Sequence, residues 1–255
     1  MPRTPPARPA LTLWGAGSLA EVLGGLARLH AARSGQPVET RFGPSGTLRA
    51  AIEAGAAPDV FAAADMGHPE ALARAGRAHP PRQFAGNALV ALVQPGLAPA
   101  LETADARGFV ELLLAPSVRL ATSLPGADPS GDYAQACFAR AEALIPGAEA
   151  ALTARALRLA GGPGAPRAPQ GANHYGWVMA RGLADIFLTY RSNARLALAD
   201  EPALRAVALP GVLHVDARFG LCRLRGARPG AAALERFLLG AEAAATLRAA
   251  GFRTT

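Results

Sequence analysis

The sequence predicts an α/β protein in which strands and helices alternate to form a parallel sheet. Strand-like runs are followed by apolar residues at helical spacing along most of the chain. Four turns rich in small polar residues join such a strand to such a helix: Gly15–Ser18, Gly43–Gly46, Asp128–Gly131 and Gly171–His174. Turns of this kind place backbone N–H groups and helix N-termini at strand ends, where an open α/β sheet binds its ligands. They predict an anion-binding crevice.

The first series of elements follows a proline-rich start. Strands are predicted at residues 11–14, 38–42 and 59–62, each followed by a helix. Ser18 and Glu21 have the spacing of a capping box, which predicts that the first helix begins at its glycine turn. This order of elements is typical of parallel strands joined by crossover helices.

A second series begins near residue 87. Its strands are predicted at residues 87–93, 119–122 and 185–190, and the Gly and Pro content of residues 161–171 predicts a loop. The chain closes with a strand near residues 219–224 and a final helix. Each series supplies two of the four turns, so we expect two lobes with the site between them: residues 10–85 with 218–255, and residues 86–217.

The composition favours a globular protein without a nucleic-acid partner. Of the 255 residues, 51% are apolar, and no apolar stretch approaches the ~20 residues of a membrane helix. The net charge is +7 and every basic residue is Arg. These arginines are scattered rather than clustered, and only 5% of residues are aromatic, so neither a basic patch nor a base-stacking surface is predicted.

The two cysteines and the first ten residues do not point to a disulfide, a metal site or a signal peptide. Cys137 and Cys222 lie in a helix-like and a strand-like segment, so no disulfide is expected. No Cys or His spacing predicts a metal site. The first ten residues have no apolar h-region, so either the protein stays inside the cell or a leader has been removed.

Motifs spread over nearly the whole chain carry a family resemblance. They are Gly17–Leu19, Phe42–Arg49, Ile52–Gly55, Pro58–Phe61, Ala64–Asp65, Pro129–Ala134 and Leu188–Ala194, with the closing helix before Gly251 and Phe252. Together they resemble the molybdate-binding proteins of ABC transporters. The resemblance implies a two-lobed periplasmic-binding-protein fold of the type with two crossover strands. Each lobe would be a mostly parallel sheet flanked by helices, with the ligand cleft between the lobes.

The resemblance also implies a function. The chain would be the solute-binding component of an ABC importer, capturing a tetrahedral oxyanion, molybdate or tungstate, for a membrane permease. Such a protein is not an enzyme and carries no cofactor beyond its bound ligand. It would be a periplasmic or extracytoplasmic monomer. Sulfate, phosphate or a small polar organic solute are alternative ligands.

Five residues match the oxyanion contacts that the resemblance implies. Ser18 and Ser45 fall in the first lobe. In the second lobe the contacts fall on the backbone of Ser130 and of His174, and on the hydroxyl of Tyr190. No catalytic residue and no direct cation ligand is implied, because the metal of the oxyanion is reached only through its oxygens.

Several residues depart from the family pattern or have a structural alternative. The family commonly has small apolar residues where this chain has Ser130 and His174. Asp128 and Asp132 flank the third turn, where acids beside a dianion are unexpected. Asp132 is expected to face solvent in the first turn of its helix. The serines could instead be helix N-caps, and Tyr190 a core tyrosine.

Two other classes of protein compete with a binding protein. Gly43–Thr47 resembles the nucleophile elbow of a serine hydrolase, but that motif requires Gly where Thr47 stands, and no His has the context of a catalytic base. The effector domain of a transcription regulator would need a helix-turn-helix ahead of residue 11, and ten residues leave no room for one. We therefore expect a binding protein.

Overall fold

The computed structural model describes residues 9–254, so most of the proline-rich start lies outside the described residues. The chain forms two compact units. Unit 1 runs to Gly86 and resumes at Arg218, and unit 2 is Asn87–Ala217. No helix within residues 9–254 is both long enough and apolar enough to cross a membrane.

Strands and helices alternate along most of the described chain. The strands are β1 (Leu11–Ala16), β2 (Val38–Gly43), β3 (Val60–Ala63), β4 (Arg82–Val93), β5 (Leu120–Ser123), β6 (Leu157–Ala160), β7 (Ile186–Tyr190), β8 (Arg205–Ala208) and β9 (Asp216–Arg223). The helices are α1 (Ala20–Ser34), α2 (Ser45–Glu53), α3 (Gly67–Arg74), α4 (Ala98–Thr103), α5 (Ala106–Leu114), α6 (Pro129–Glu142), α7 (Ala148–Arg155), α8 (His174–Ala180), α9 (Arg191–Asp200), α10 (Ala231–Leu238) and α11 (Ala241–Ala249).

The sheet of unit 1 has the strand order β2-β1-β3-β9. β1 pairs in parallel with both β2 and β3, and β9 adds to β3 in the antiparallel direction. Apolar residues of α2 and α3 cover one face of β3, where Phe61 is fully buried among Leu48, Ile52 and Leu72. The parallel pairs follow the predicted strand–helix alternation.

A buried carboxylate ties together three segments of unit 1. Asp59, which precedes β3, is 2% exposed and accepts hydrogen bonds from Thr12 N and Arg228 N, both at 2.7 Å. The Arg228 guanidinium completes an ion pair, with Nη2 2.8 Å from Oδ2. Burial alone raises the pKa of Asp59, but the hydrogen bonds from Arg228 and Thr12 outweigh it, and the pKa lies below its ordinary value.

The predicted capping box at the start of α1 is wrong. A short 3-10 turn, Gly17–Leu19, precedes α1, whose N-cap is Leu19 without any side-chain cap bond. Ser18 therefore lies inside the turn, one residue before the cap position. Apolar contacts, rather than a cap, hold the start of this helix, because Leu19, Val22 and Leu23 are buried.

The sheet of unit 2 combines parallel and antiparallel pairs. β5 lies parallel to β6 and β7, whereas β4 is antiparallel to β7 and β8. Alternate residues of β4 enter two different apolar clusters, with Leu89 in one and Val90 in the other. The sheet is thus buried on both faces, as helix-covered α/β sheets are. The predicted α/β fold class is confirmed.

Some elements of unit 2 were not predicted. β6 and β8 are four-residue strands that each contain an Arg and at least one exposed position. The predicted loop at residues 161–171 is confirmed, since no helix or strand lies between Ala160 and His174. The fourth turn opens α8 as predicted. The prediction that it directly follows a strand is wrong, because the loop separates it from β6.

Candidate functional site

In unit 1 two of the predicted turns leave the sheet at the same level. Ala16, the last residue of β1, pairs with Gly43, the last residue of β2. Because these strands are parallel, the turns that follow them emerge at one edge of the sheet, and β3 ends at the same edge. This edge carries both serines that the sequence assigns to the first lobe.

Ser18 presents a hydroxyl without a protein partner. Its side chain is half-buried, and Oγ itself is shielded from solvent and has no hydrogen-bond partner among the described residues. A buried hydroxyl is normally hydrogen-bonded, and leaving it unpaired costs ~1–3 kcal/mol. Such a group at a strand end is a candidate ligand donor, because a ligand oxygen would satisfy it.

Ser45 is the first residue of α2 and is fully buried. It is not the N-cap, since Pro44 holds that position without a side-chain bond. Ser45 Oγ instead accepts a hydrogen bond from Ala64 N at 3.1 Å, which joins the β2–α2 turn to the end of β3. That bond uses an oxygen lone pair and leaves the hydroxyl proton available for donation.

In unit 2 the ends of β5 and β7 form the corresponding edge. The two strands are parallel neighbours, with Ala121 opposite Phe187. α6 begins very close to the end of β5: a Cβ on Gly131 would lie 2.5 Å from the carbonyl oxygen of Ser123. Only glycine permits this approach, which brings the first turn of α6 against the strand end.

Ser130 is fully buried in the first turn of α6, but Asp128 rather than Ser130 is the N-cap. The backbone N–H of Ser130 donates to Asp128 Oδ1 at 3.1 Å. Its hydroxyl donates to Ser123 Oγ at 2.7 Å. The N–H that the resemblance assigns to an oxyanion is thus held by a carboxylate of the chain itself.

His174 and Tyr190 lie on two further elements of unit 2. His174 begins α8, and its Nε2 lies 2.7 Å from the carbonyl oxygen of Leu159, to which it must donate. Tyr190 ends β7, is 1% exposed, and packs its ring edge-on against Tyr133 of α6 with the centroids 6.0 Å apart. This contact places Tyr190 beside the helix that carries Ser130.

The two flanking acids have different environments. Asp132 is exposed, as expected, and its Oδ1 accepts a hydrogen bond from Gly126 N at 2.7 Å. Asp128 is partly buried, and burial raises its pKa above the ordinary value. The charge of Asp132 raises the pKa of Asp128 further, whereas hydrogen bonds from Ser130 and Ser123 act in the opposite direction.

Sequence reasoning missed a cluster of hydroxyls around Asp128. The Tyr175 hydroxyl lies near the hydroxyls of Ser123, Ser130 and Thr189, and burial, with the nearby Asp128 charge, raises its pKa. A signal was available for the carboxylate itself. Asp followed by Pro is a strong pattern for a helix N-cap with Pro at N1, which identifies Asp128 as the cap. Nothing in the sequence marked Tyr175.

Comparison with known proteins assigns the family. The family model for bacterial extracellular solute-binding proteins matches residues 11–253. The chain belongs to this solute-binding family. An uncharacterized protein of Pasteurella multocida is 32% identical to it over 188 residues, which cover 72% of this chain and 74% of that protein.

Solved structures share the fold of this solute-binding protein. The periplasmic molybdate-binding protein of Azotobacter vinelandii matches with a TM-score of 0.71 at 22% identity, over 96% of this chain and 99% of that one. The sulfate-binding protein SubI of Mycobacterium tuberculosis matches with a TM-score of 0.74 at 16% identity, over 97% and 88% of the two chains. At these identities the likeness establishes the fold.

Proposed function

We propose that this solute-binding protein captures a small tetrahedral oxyanion, molybdate or tungstate first, and delivers it to the membrane permease of an ABC importer. The Ser18 hydroxyl carries the proposal: it is shielded from solvent at a strand end, with no hydrogen-bond partner among residues 9–254. An oxyanion accepts hydrogen bonds and would satisfy this donor. The neighbouring Ser45 hydroxyl retains its proton for the same purpose.

The proposed donors are uncharged. They are the hydroxyls of Ser18, Ser45 and Tyr190, the backbone N–H of His174, and the backbone N–H of Ser130, which would have to exchange its Asp128 partner for the anion. Neutral donors and helix dipoles suit an anion without protons, which needs only donors. In this proposal the chain has no catalytic residue and no cofactor, works outside the cytoplasm, and acts as a monomer.

A thermal-shift panel of oxyanions tests the proposal. A ligand at a hundred times its Kd stabilises the folded state by ~2.7 kcal/mol, which corresponds to a rise in Tm of roughly 5–10 °C for a chain of this size. Molybdate or tungstate should produce this shift and phosphate should not, with sulfate as the intermediate case. If no tetrahedral oxyanion shifts Tm, the proposal is wrong and an organic solute is favoured.

One observation favours a second class of ligand. The carboxylate of Asp128 occupies the Ser130 N–H that a fully deprotonated oxyanion would use. A carboxylate repels such a dianion but accepts a hydrogen bond from a protonated oxyanion or a hydroxylated organic solute. Phosphate binding in the panel, without molybdate binding, would support this alternative.

A further inference from the structure

The outer edge of β2 carries no neighbouring strand among the described residues. β2 is the end strand of the unit 1 sheet and pairs with β1 on its inner side. Its central residues Glu39, Thr40 and Arg41 are all exposed. The edge of a sheet presents backbone N–H and C=O groups that another extended strand can use. The β2 edge is therefore a surface to which a further strand can add.

Every second residue of β2 directs its backbone groups to this outer edge. Leu11 N donates to the carbonyl oxygen of Pro37 at 2.8 Å, so that carbonyl points to β1. Successive residues of a strand direct their N–H and C=O groups to opposite sides, so Val38, Thr40 and Phe42 point away from β1. The N–H and C=O groups of these three residues have no hydrogen-bond partner among the residues that the structure describes.

The residues on either side of Thr40 carry opposite charges. Glu39 and Arg41 are two positions apart, so their side chains lie on the same face of the sheet. The Arg41 guanidinium stacks over the Trp14 ring, with Cζ 4.5 Å from the ring centroid. Stacking uses the flat face of the guanidinium and leaves the N–H groups at its rim free to donate. Neither Glu39 nor Arg41 forms an ion pair within the described part of the chain.

We propose that the β2 edge binds the same edge of a second copy of this chain, so that two unit 1 sheets join in an antiparallel dimer. A two-fold axis at Thr40 pairs this residue with its counterpart, and pairs Val38 with Phe42 of the second copy, through the outward backbone groups. The same register places Glu39 opposite Arg41 of the second copy in both halves of the interface. Those are non-hydrogen-bonded pairs, in which facing side chains come closest.

The spacing of the charges favours a second copy as the occupant. Charged residues on an edge strand commonly oppose pairing between sheets. Here the two charges have opposite signs and lie equally far from Thr40, so the two-fold pairing makes both contacts attractive. One six-residue strand forms a small interface, which predicts a dimer in exchange with monomers. The inference goes beyond the proposed function, in which the monomer delivers the anion.

Sedimentation velocity at increasing protein concentration, without oxyanion, tests this surface. Wild type is compared with Glu39→Arg, Arg41→Glu and the double variant that carries both changes. Each single change sets like charges opposite one another in both halves of the interface, so the dimer dissociation constant should rise about tenfold. The double variant exchanges the charges and restores both attractions, so its dissociation constant should lie within about threefold of wild type.

Two controls separate this edge from general charge effects. Glu111→Arg reverses an exposed charge on α5 of unit 2 and should dimerise as wild type does. The net charge of +7 makes two copies repel at low salt, so all runs use about 0.15 M salt, which screens charges farther apart than about 8 Å. Circular-dichroism melts of each variant report whether the monomer is folded.

A backbone variant tests the pairing of the strands themselves. Thr40→Pro deletes an N–H that points to the outer edge and leaves the β1–β2 ladder intact, so it should weaken dimerisation about tenfold or more. Wild type that stays monomeric up to about 1 mM overturns the inference. So does a dimer that both single charge changes leave unaffected, or a double variant that dimerises no better than they do. If Thr40→Pro does not fold, the charge series decides.

Discussion

Replacing Ser18 with Ala separates a ligand donor from a structural serine. In the ligand-free protein Ser18 Oγ is buried and makes no hydrogen bond with any described residue. Removing it therefore deletes no internal bond and relieves an unsatisfied polar group. We expect the free energy of unfolding of ligand-free Ser18→Ala to be unchanged or raised by up to ~1 kcal/mol.

The effect on binding should have the opposite sign. A hydrogen bond to a charged ligand contributes ~1.5–3 kcal/mol, so its loss weakens binding by roughly 10-fold to 150-fold. Ser45→Ala should behave differently. It removes the acceptor of the Ala64 N–H at the end of β3, so this variant should lose ~1 kcal/mol of stability as well as affinity.

Denaturant unfolding without ligand and calorimetric titration with molybdate measure the two quantities on the same preparations. We expect reduced affinity without reduced stability for Ser18→Ala, and a reduction of both for Ser45→Ala. A Ser18→Ala protein that is less stable when ligand-free but binds normally would refute it. The hydroxyl would then have a structural partner and no role in binding.

Three further changes test other parts of the fold and site. Tyr190→Phe keeps the ring contact with α6 and should weaken oxyanion binding about tenfold while leaving the fold intact. Normal affinity in titration would mean that Tyr190 has only a structural role. Asp59→Asn should lower the free energy of unfolding by about 2 kcal/mol at neutral pH, because it breaks the ion pair with Arg228. The folded-state pKa of Asp59 is lowered, so its contribution to the free energy of unfolding is present above the ordinary value of 3.8 and is lost as pH falls through the folded-state pKa. Equal acid sensitivity of wild type and Asp59→Asn would contradict this. Gly131→Ala should lower the free energy of unfolding by about 1–3 kcal/mol and impair binding, because its Cβ would meet the backbone at the end of β5. The control Gly96→Ala has open space around its Cβ and should melt as wild type does.

Local patterns predicted most of the fold. The β1–α1 and β2–α2 units follow from short apolar strands, polar turns and helix-spaced apolar residues, all within about 30 residues of each other. Pairings between distant segments could not be predicted in this way. Nothing in residues 59–62 indicates that β9, far along the chain, lies against β3. β6 and β8, four-residue strands that each contain an Arg and at least one exposed position, were not predicted.

The candidate site was predicted less completely than the fold. The turns that hold Ser18 and Ser45 lie at one sheet edge, as the strand–turn–helix pattern indicates. Which side chain caps a helix depends on a competition among neighbouring polar groups. In α6 Asp128 wins it, because a carboxylate accepts from the first-turn N–H groups more strongly than a serine hydroxyl does. The Asp–Pro sequence indicates this cap, but the hydroxyls of Ser123, Ser130 and Tyr175 beside it come from β5, α6 and α8, and residue types alone do not show that these hydroxyls meet.

The discontinuity of unit 1 has a consequence for biosynthesis. Unit 2 is one continuous segment, Asn87–Ala217, so its whole chain has been synthesised before the ribosome reaches the segment that unit 1 still lacks. Until β9 emerges, β3 has an unpaired edge, and the guanidinium that neutralises Asp59 does not yet exist. The N-terminal part of the nascent chain must therefore wait for the C-terminal part. A message truncated before codon 218 would yield a complete second unit attached to a first unit with an exposed, aggregation-prone strand.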